Sequence, residues 1–303
     1  MILKQIRTDL AMEDAAGLDR AHMPGVHISE WETGGVGMTE VNVESDEGAR
    51  LLGKPIGTYI TLECPRVGRR DVDARRAVSV LLGEELARLL PPGEGDVLVI
   101  GLGNRTVTPD SLGPLAVDRT LVTRHLRRER PELAGAMSGV CALSPGVMGV
   151  TGIESGEIVR AAVEAVSPRA IIAIDSLAAR AIERLASTVQ LTDTGIQPGS
   201  GVGNHRAALT QETLGVPVLA VGVPMVIHAA ALARDAFRRL SRADEAALEA
   251  LANELMDGDL GEMIVTPREV DDLVGNAAVM LAGGINRALH PGLSEEEILT
   301  MMQ

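Results

Sequence analysis

From about residue 96 to residue 240, short apolar runs alternate with stretches of helical length, and this alternation restricts the fold more than any other feature of the 303-residue chain. The runs Val97–Ile100, Met137–Leu143, Ala170–Ile174, Thr188–Leu191 and Val216–Val221 read as strands. Between and after them, helices are expected over Pro114–Glu129, Glu154–Val166, Leu177–Ala186 and Val226–Leu240. Strands joined through helices of this length predict a three-layer α/β fold, a mostly parallel sheet with helices on both faces. Upstream, residues 10–68 lack a helical period, and Val36–Val43 and Gly57–Glu63 alternate like strands around Gly34-Gly-Val-Gly37, a small β-rich N-terminal subdomain or flap. A helix is expected from Asp71 to Leu90, where Pro91-Pro-Gly93 stops it, so residues 69–240 form the α/β core. Residues 241–303 read as a C-terminal helical segment: an acidic, alanine-rich helix, a capping box in Thr266-Pro-Arg-Glu269, and a closing helix to about His290.

In an open α/β sheet, ligands bind in the crevice outside the carboxyl ends of the strands. Two aspartates fall there. Asp110 follows Asp96-Val-Leu-Val-Ile100 within Gly101-Leu-Gly-Asn-Arg-Thr-Val-Thr-Pro-Asp-Ser-Leu-Gly-Pro114, and Asp175 closes Ala170-Ile-Ile-Ala-Ile-Asp175. An aspartate after a strand is often only the cap of the next helix, accepting hydrogen bonds from its first amides. Both segments are dense in Gly and Pro, however, which suits a loop held in one shape. Two carboxylates in one crevice can share a proton or hold a water.

The remaining composition excludes several classes. A formal charge of −14 opposes direct nucleic-acid binding, which depends on clustered Lys and Arg. One Trp, one Tyr and one Phe leave little for aromatic stacking. The two cysteines, Cys64 and Cys141, form no paired metal pattern and suit a reducing cytoplasm. No charged-then-apolar leader opens the chain and no apolar run reaches the roughly 18 residues of a membrane span, so neither export nor a membrane partner is expected.

Other motifs fail or stay open. The third glycine of a dinucleotide fingerprint would fall at Thr106, and Pro198-Gly-Ser-Gly-Val-Gly-Asn204 lacks the Gly-Lys-Ser/Thr of a phosphate loop. Its amides, around Gly199, Ser200, Gly201 and Gly203, could still form an anion nest or oxyanion donors, or be a tight turn. Asp193, in Asp-Thr-Gly, is a supporting or structural residue, because the α/β pattern does not suit a pepsin-like fold. Ser144-Pro-Gly-Val-Met-Gly149 is a second constrained loop after a strand, with Met148 and Gly149 shaping a substrate groove. No Gly-x-Ser-x-Gly elbow occurs, Cys141 reads as a core residue and His125 as solvated. His228 follows another strand end and could join Asp110 and Asp175 in a divalent-metal set, against the commoner structural role of a lone histidine.

The chain resembles the germination protease (spore protease) family in Ile6-Arg-Thr-Asp-Leu-Ala11, Tyr59-Ile-Thr-Leu-Glu63, Gly101-Leu-Gly-Asn104 with Val107-Thr-Pro-Asp-Ser-Leu-Gly-Pro114, Leu121-Val-Thr-Arg-His125 and Ser144-Pro-Gly-Val-Met-Gly149. The likeness continues in Ala173-Ile-Asp-Ser-Leu-Ala-Ala-Arg180, Asp193-Thr-Gly-Ile-Gln-Pro-Gly-Ser-Gly-Val-Gly-Asn204, Leu214-Gly-Val-Pro217 and Ile264-Val-Thr-Pro-Arg-Glu-Val270. This resemblance implies a cytoplasmic endopeptidase of the spore core, an atypical aspartic enzyme without a cofactor, that degrades small acid-soluble spore proteins at germination. It implies Asp110 and Asp175 as the catalytic pair, Asn104, Asp193 and the two glycine-rich loops as supporting residues, and a homotetramer. Family members remove an N-terminal propeptide and cut after Glu in sequences like Thr-Glu-Ile/Phe-Ala. Thr8-Asp-Leu-Ala11 has that form, so self-cleavage is expected between Asp9 and Leu10, with residues 1–9 as the propeptide. The family also looks distantly like the metal-dependent hydrogenase maturation endopeptidases, which keeps the metal set with His228 as an alternative. A non-catalytic, anion-binding α/β protein is the other. The chain departs from the family in the nine residues before the expected cut, in Arg105 where a Trp is usual, and in a shorter stretch from about Arg238 to Glu262.

Overall fold

A computed structural model describes residues 8–16, 18, 23–69, 71–135, 137–198, 207–240, 254 and 263–302. Gly199, Ser200, Gly201 and Gly203, the first seven residues of the expected propeptide and nearly all of the expected acidic helix after Ser241 lie outside them. The strands are β1 (Val26–Thr33), β2 (Val36–Val43), β3 (Gly57–Glu63), β4 (Asp96–Gly101), β5 (Gly139–Leu143), β6 (Ala170–Ala179), β7 (Thr188–Thr192), β8 (Val218–His228) and β9 (Ile264–Val265). The helices are α1 (Ala11–Ala15), α2 (Asp46–Leu52), α3 (Val72–Leu89), α4 (Leu112–Val117), α5 (Arg124–Glu129), α6 (Met148–Thr151), α7 (Ser155–Val166), α8 (Gln211–Leu214), α9 (Ala229–Leu240), α10 (Val270–Leu289) and α11 (Glu295–Met301).

The fold is α/β, but its sheet is mixed rather than mostly parallel. Strand order is β1-β2-β3-β7-β8-β6-β4-β5, with β9 on β8. Only β8-β6, β6-β4 and β4-β5 pair in parallel; β1-β2, β2-β3, β3-β7, β7-β8 and β8-β9 are antiparallel. The cause is the connection after β6. Where a crossover helix was expected over Leu177–Ala186, the strand runs on to Ala179 and only a single turn of 3₁₀ helix, Ile182–Arg184, precedes β7. A link that short cannot carry the chain back to start a parallel strand, so β7 returns antiparallel. Through β7 the strands read as a separate N-terminal subdomain join the same sheet, since Thr61 on β3 pairs with Gln190.

Other boundaries moved for similar reasons. β8 continues to His228 because β6 pairs with it as far as Ile227 and β9 pairs His228 with Ile264, which displaces the start of the helix expected at Val226 to Ala229. The expected helix Pro114–Glu129 is two, α4 and α5. The link between them is tied down where Leu121 N–H donates to Asn286 Oδ1 at 2.8 Å and Thr123 Oγ1 donates to Ser138 O at 2.6 Å. β1, a largely exposed edge strand, carries too little apolar alternation to be read from sequence.

Helices cover both faces. Val97, Val99, Ile172 and Ile174 point toward α3 and α10, while Leu98, Ile100, Ile171 and Ala173 point toward α7. The period of two along β4 and β6 thus divides into two cores. α3 forms where predicted: Asp71 caps it, its carboxylate accepting from Ala74 N–H at 3.0 Å, and Ala74, Val78, Leu82 and Leu86 form its buried stripe. Among the described residues no helix is long and apolar enough to cross a membrane.

His290, at the end of α10, is fully buried with Nε2 3.2 Å from Leu121 O, and burial holds its pKa below the usual imidazole value. The unfolded chain, with a His pKa of about 6.5, therefore binds the proton more readily, and stability falls as pH drops through that value. We expect the urea midpoint to decline from pH 7.5 to 5.5, and the decline to be smaller in His290→Asn. An identical pH slope in that variant would contradict the assignment.

Candidate active site

β6 outruns its neighbour β4. Their last paired residues are Gly101 and Ile174, and Leu102 N–H donates to Ile174 O at 2.8 Å as β4 ends. Asp175 follows at once. It sits inside the strand, paired with Gly222 of β8, and is 6% exposed. Its Oδ1 accepts from Ser176 N–H at 2.8 Å. Gly222 pairs on its other side with Gln190 of β7. Asp175, Gly222 and Gln190 thus form one row across the sheet, and their side chains project from the same face. Asp175 and Gln190 lie two strand spacings apart, about 10 Å, across a gap into which the Leu177 side chain leans, its Cγ 2.6 Å from where a Cβ on Gly222 would stand. That gap belongs to a cavity of about 460 Å³ whose lining includes Asp175, Gly222, Gln190, Lys54, Tyr59 and the N-terminal residues Thr8 and Asp9.

Asp110 arrives from the next strand. It ends a 3₁₀ turn, Thr108–Asp110, and its Oδ2 accepts from Asn104 N–H at 2.8 Å, closing the loop that leaves β4. α4, which starts just beyond, seats this loop on the strand ends. A Cβ on Gly113 would lie 2.3 Å from Leu102 O and 2.7 Å from Ile174 O, so only glycine allows the approach. The two aspartate-bearing segments therefore meet at the carboxyl ends of adjacent parallel strands. Neither aspartate caps a helix: Asp175 lies within β6, and the residue preceding α4 is Ser111. Asp175 lines the cavity and Asp110 does not.

The N-terminal segment forms one wall of this cavity. Even-numbered residues of β6 direct their backbone toward the β4 side, where β4 has ended, and the segment takes up that open edge. Asp9 N–H donates to Ala178 O at 2.9 Å, and Ala178 N–H donates to Asp9 Oδ2 at 2.8 Å. The Asp9 carbonyl accepts from Gln190 Nε2 at 2.8 Å and Lys54 Nζ at 3.2 Å, while Ala11 N–H donates to Gln190 Oε1 at 2.7 Å. Leu10 is fully buried against Leu177 and Ala179. Further along, the Glu13 carboxylate accepts from Arg180 N–H at 2.7 Å and Ala181 N–H at 2.9 Å and pairs with Arg184 at 3.2 Å. Asp14 pairs with Arg180 at 2.7 Å and Lys54 at 3.5 Å. Tyr59 donates to Pro55 O at 2.8 Å, and burial pushes its phenol up to about 12, so it stays a neutral donor at the cavity wall.

The other expected site residues disperse. The Asn104 side chain is turned into its own loop, accepting from Thr106 N–H at 3.0 Å. Asp193 is exposed and structural, its Oδ1 accepting from Thr58 N–H at 2.8 Å where β3 begins. Met148 and Gly149 lie exposed on α6, outside the cavity lining. His228 is buried at the far end of β8, six residues past Gly222, or about 20 Å of strand. That separation keeps it from Asp175, so the set Asp110, Asp175 and His228 does not assemble. Among the described residues no three His, Cys, Asp or Glu side chains gather into a group able to hold a metal ion. Arg105, at the position of the usual Trp, clasps Asp118 at 2.6 and 2.9 Å across the loop, and that bond holds the Asp118 carboxyl below its ordinary range. Burial pushes the Cys141 thiol up, consistent with a core residue.

Sequence reasoning missed Lys54 and Gln190. Gln190 left a trace, as a polar residue inside the apolar run Thr188–Leu191. Lys54, in Gly53-Lys-Pro55, left none.

A family model described as germination protease matches residues 6–242. Among curated relatives, a germination protease of Caldanaerobacter subterraneus subsp. tengcongensis is 41% identical, with 98% of each chain covered. One of Clostridium tetani is 39% identical over 97% of this chain and 98% of its own. One of Bacillus subtilis is 37% identical over 96% of this chain and 95% of its own.

Proposed function

The chain belongs to the germination protease family, which makes it a peptidase, and from that membership we propose that it degrades small acid-soluble spore proteins at germination, cutting after acidic residues. In this reading it acts in the cytoplasm of the spore core as a homotetramer, without direct contact to nucleic acid or membrane. It uses Asp175 and Asp110 as an atypical aspartic pair, and it first processes itself between Asp9 and Leu10. The observation that carries the reading is the placement of Thr8-Asp-Leu-Ala11, an acidic residue followed by a buried apolar one, with Thr8 and Asp9 in the wall of the cavity that Asp175 also lines.

Hydrolysis by a carboxylate pair needs one ionised member to take a proton from water and one protonated member to polarise the carbonyl. Each aspartate has one oxygen engaged by a backbone amide, Ser176 for Asp175 and Asn104 for Asp110. The backbone bonds fix each group's orientation.

Fragment mapping by mass spectrometry after incubation with an acid-soluble spore protein tests the activity, with cuts expected on the carboxyl side of Glu or Asp. Asp9→Ala removes the carboxylate that Ala178 N–H binds, and a purified precursor with this change should remain unprocessed. Normal trimming of that variant at the same bond would refute the proposed site.

A further inference from the structure

We infer that Lys54 and Gln190 are catalytic residues that bind the carbonyl of the bond to be cut, forming the oxyanion site of this peptidase. The inference rests on the reading that Asp9–Leu10 is a cleaved bond. The Asp9 carbonyl oxygen receives two side-chain donors, Gln190 Nε2 at 2.8 Å and Lys54 Nζ at 3.2 Å. Lys54 also reaches Thr8 O at 3.3 Å, one residue upstream. Gln190 does more than donate. Its amide oxygen accepts from Ala11 N–H at 2.7 Å, so one side chain grips the backbone on both sides of the Asp9–Leu10 bond. A primary amide can do this because its donor and acceptor sit side by side.

The neighbours hold these two groups in place. Gln190 is 6% exposed, and Gly222 beside it leaves room on that face for Leu177, whose Cγ lies 2.6 Å from where a Cβ would stand. Lys54 is only 17% exposed, and its ammonium lies 3.5 Å from the Asp14 carboxylate. One backbone bond from Asp9 N–H to Ala178 O and one from Ala178 N–H to the Asp9 carboxylate then set the depth of the peptide on the β6 edge. A substrate peptide laid on the same edge after the N-terminal residues leave would present its own carbonyl to the same two donors.

The chemistry places the demand where these donors are. The oxygen of water bonds to the carbonyl carbon, and the carbonyl π electrons move onto the oxygen that Lys54 and Gln190 hold. On collapse the C–N bond breaks with its electron pair on the Leu10 nitrogen, which takes up the proton lost by the water. The products are a carboxylic acid, which then ionises, and an amine. Positioned donors at a developing oxyanion stabilise the transition state more than the ground state, so their loss falls on kcat.

The test is steady-state cleavage of a peptide containing Thr-Asp-Leu-Ala by the processed enzyme, comparing Lys54→Met, Lys54→Arg, Gln190→Leu and Asp175→Asn, with thermal melting as the folding control. Lys54→Met and Gln190→Leu should each lower kcat by roughly 10²- to 10³-fold with KM changed less than about fivefold. Lys54→Arg, which keeps a cationic donor, should recover part of the rate. A folded Lys54→Met or Gln190→Leu that keeps kcat within about threefold, or that loses rate only through KM, overturns the inference. Full activity in Asp175→Asn beside a collapse in Lys54→Met would remove the aspartate from the chemistry while upholding the carbonyl site. The opposite pattern would do the reverse.

Discussion

Asp175→Asn and Asp110→Asn should each reduce kcat for spore-protein cleavage by about 10³-fold, the range expected when a positioned acid or base is removed. The exchange isolates chemistry from folding. Asparagine retains a carbonyl oxygen able to accept from Ser176 N–H in one case and Asn104 N–H in the other, so the local backbone bonds survive. What disappears is the capacity to hold or release a proton. The two losses should not add in the double variant, because residues acting as one unit fail together. Since Asp175 lines the cavity and Asp110 stands beside it on the adjoining loop, the double variant bears most directly on whether they work as a pair. Activity unaffected by a chelator would agree with this mechanism. Chelator-sensitive cleavage, or an Asp110→Asn enzyme at near-normal rate, would send the search to a different partner for Asp175.

The second large effect concerns the seat of the Asp110 loop. Gly113→Ala should destabilise the protein by about 3 kcal/mol or more, above the usual cost of overpacking. The added methyl would meet Leu102 O at 2.3 Å, Leu102 N at 2.6 Å and Ile174 O at 2.7 Å, all backbone atoms, of β6 and of the residue that follows β4. No rotamer change relieves contacts with backbone, so α4 must lift from the sheet. Because α4 begins next to Asp110, peptidase activity should fall together with the unfolding midpoint. A variant that melts within a degree of the parent and keeps its rate would show that α4 is not held as closely as these distances require.

The aspartates were legible in the sequence because Asp175 follows the apolar run Ala170–Ile174 directly and Asp110 lies in the Gly- and Pro-rich loop that leaves Val97–Ile100. What the sequence did not convey is that β6 continues past Asp175. Residues 175–179 hold an extended shape through pairing with residues 222–227, contributed by a strand some 45 positions later. Leu177-Ala-Ala-Arg180 by itself suits a helix at least as well. His228 shows the same limit from the other side. It follows an apolar run, as Asp175 does, yet the length of β8 carries it about 20 Å from the cleft. Lys54 and Gln190 are 136 positions apart, and nothing local to either announces that both meet one carbonyl oxygen.

Local pattern alone determined that this chain builds an apolar sheet between helices, where α3 and α7 run, and, through its motifs, which family it joins. These are properties of side-chain periodicity and backbone restriction, written within about ten residues. Strand direction and order, the union of β1–β3 with the main sheet, and the meeting of Asp175 and Gln190 in the walls of one cavity were decided only in three dimensions. Backbone hydrogen bonds between strands carry no side-chain signature, so their partners emerge only when all the apolar faces are buried together.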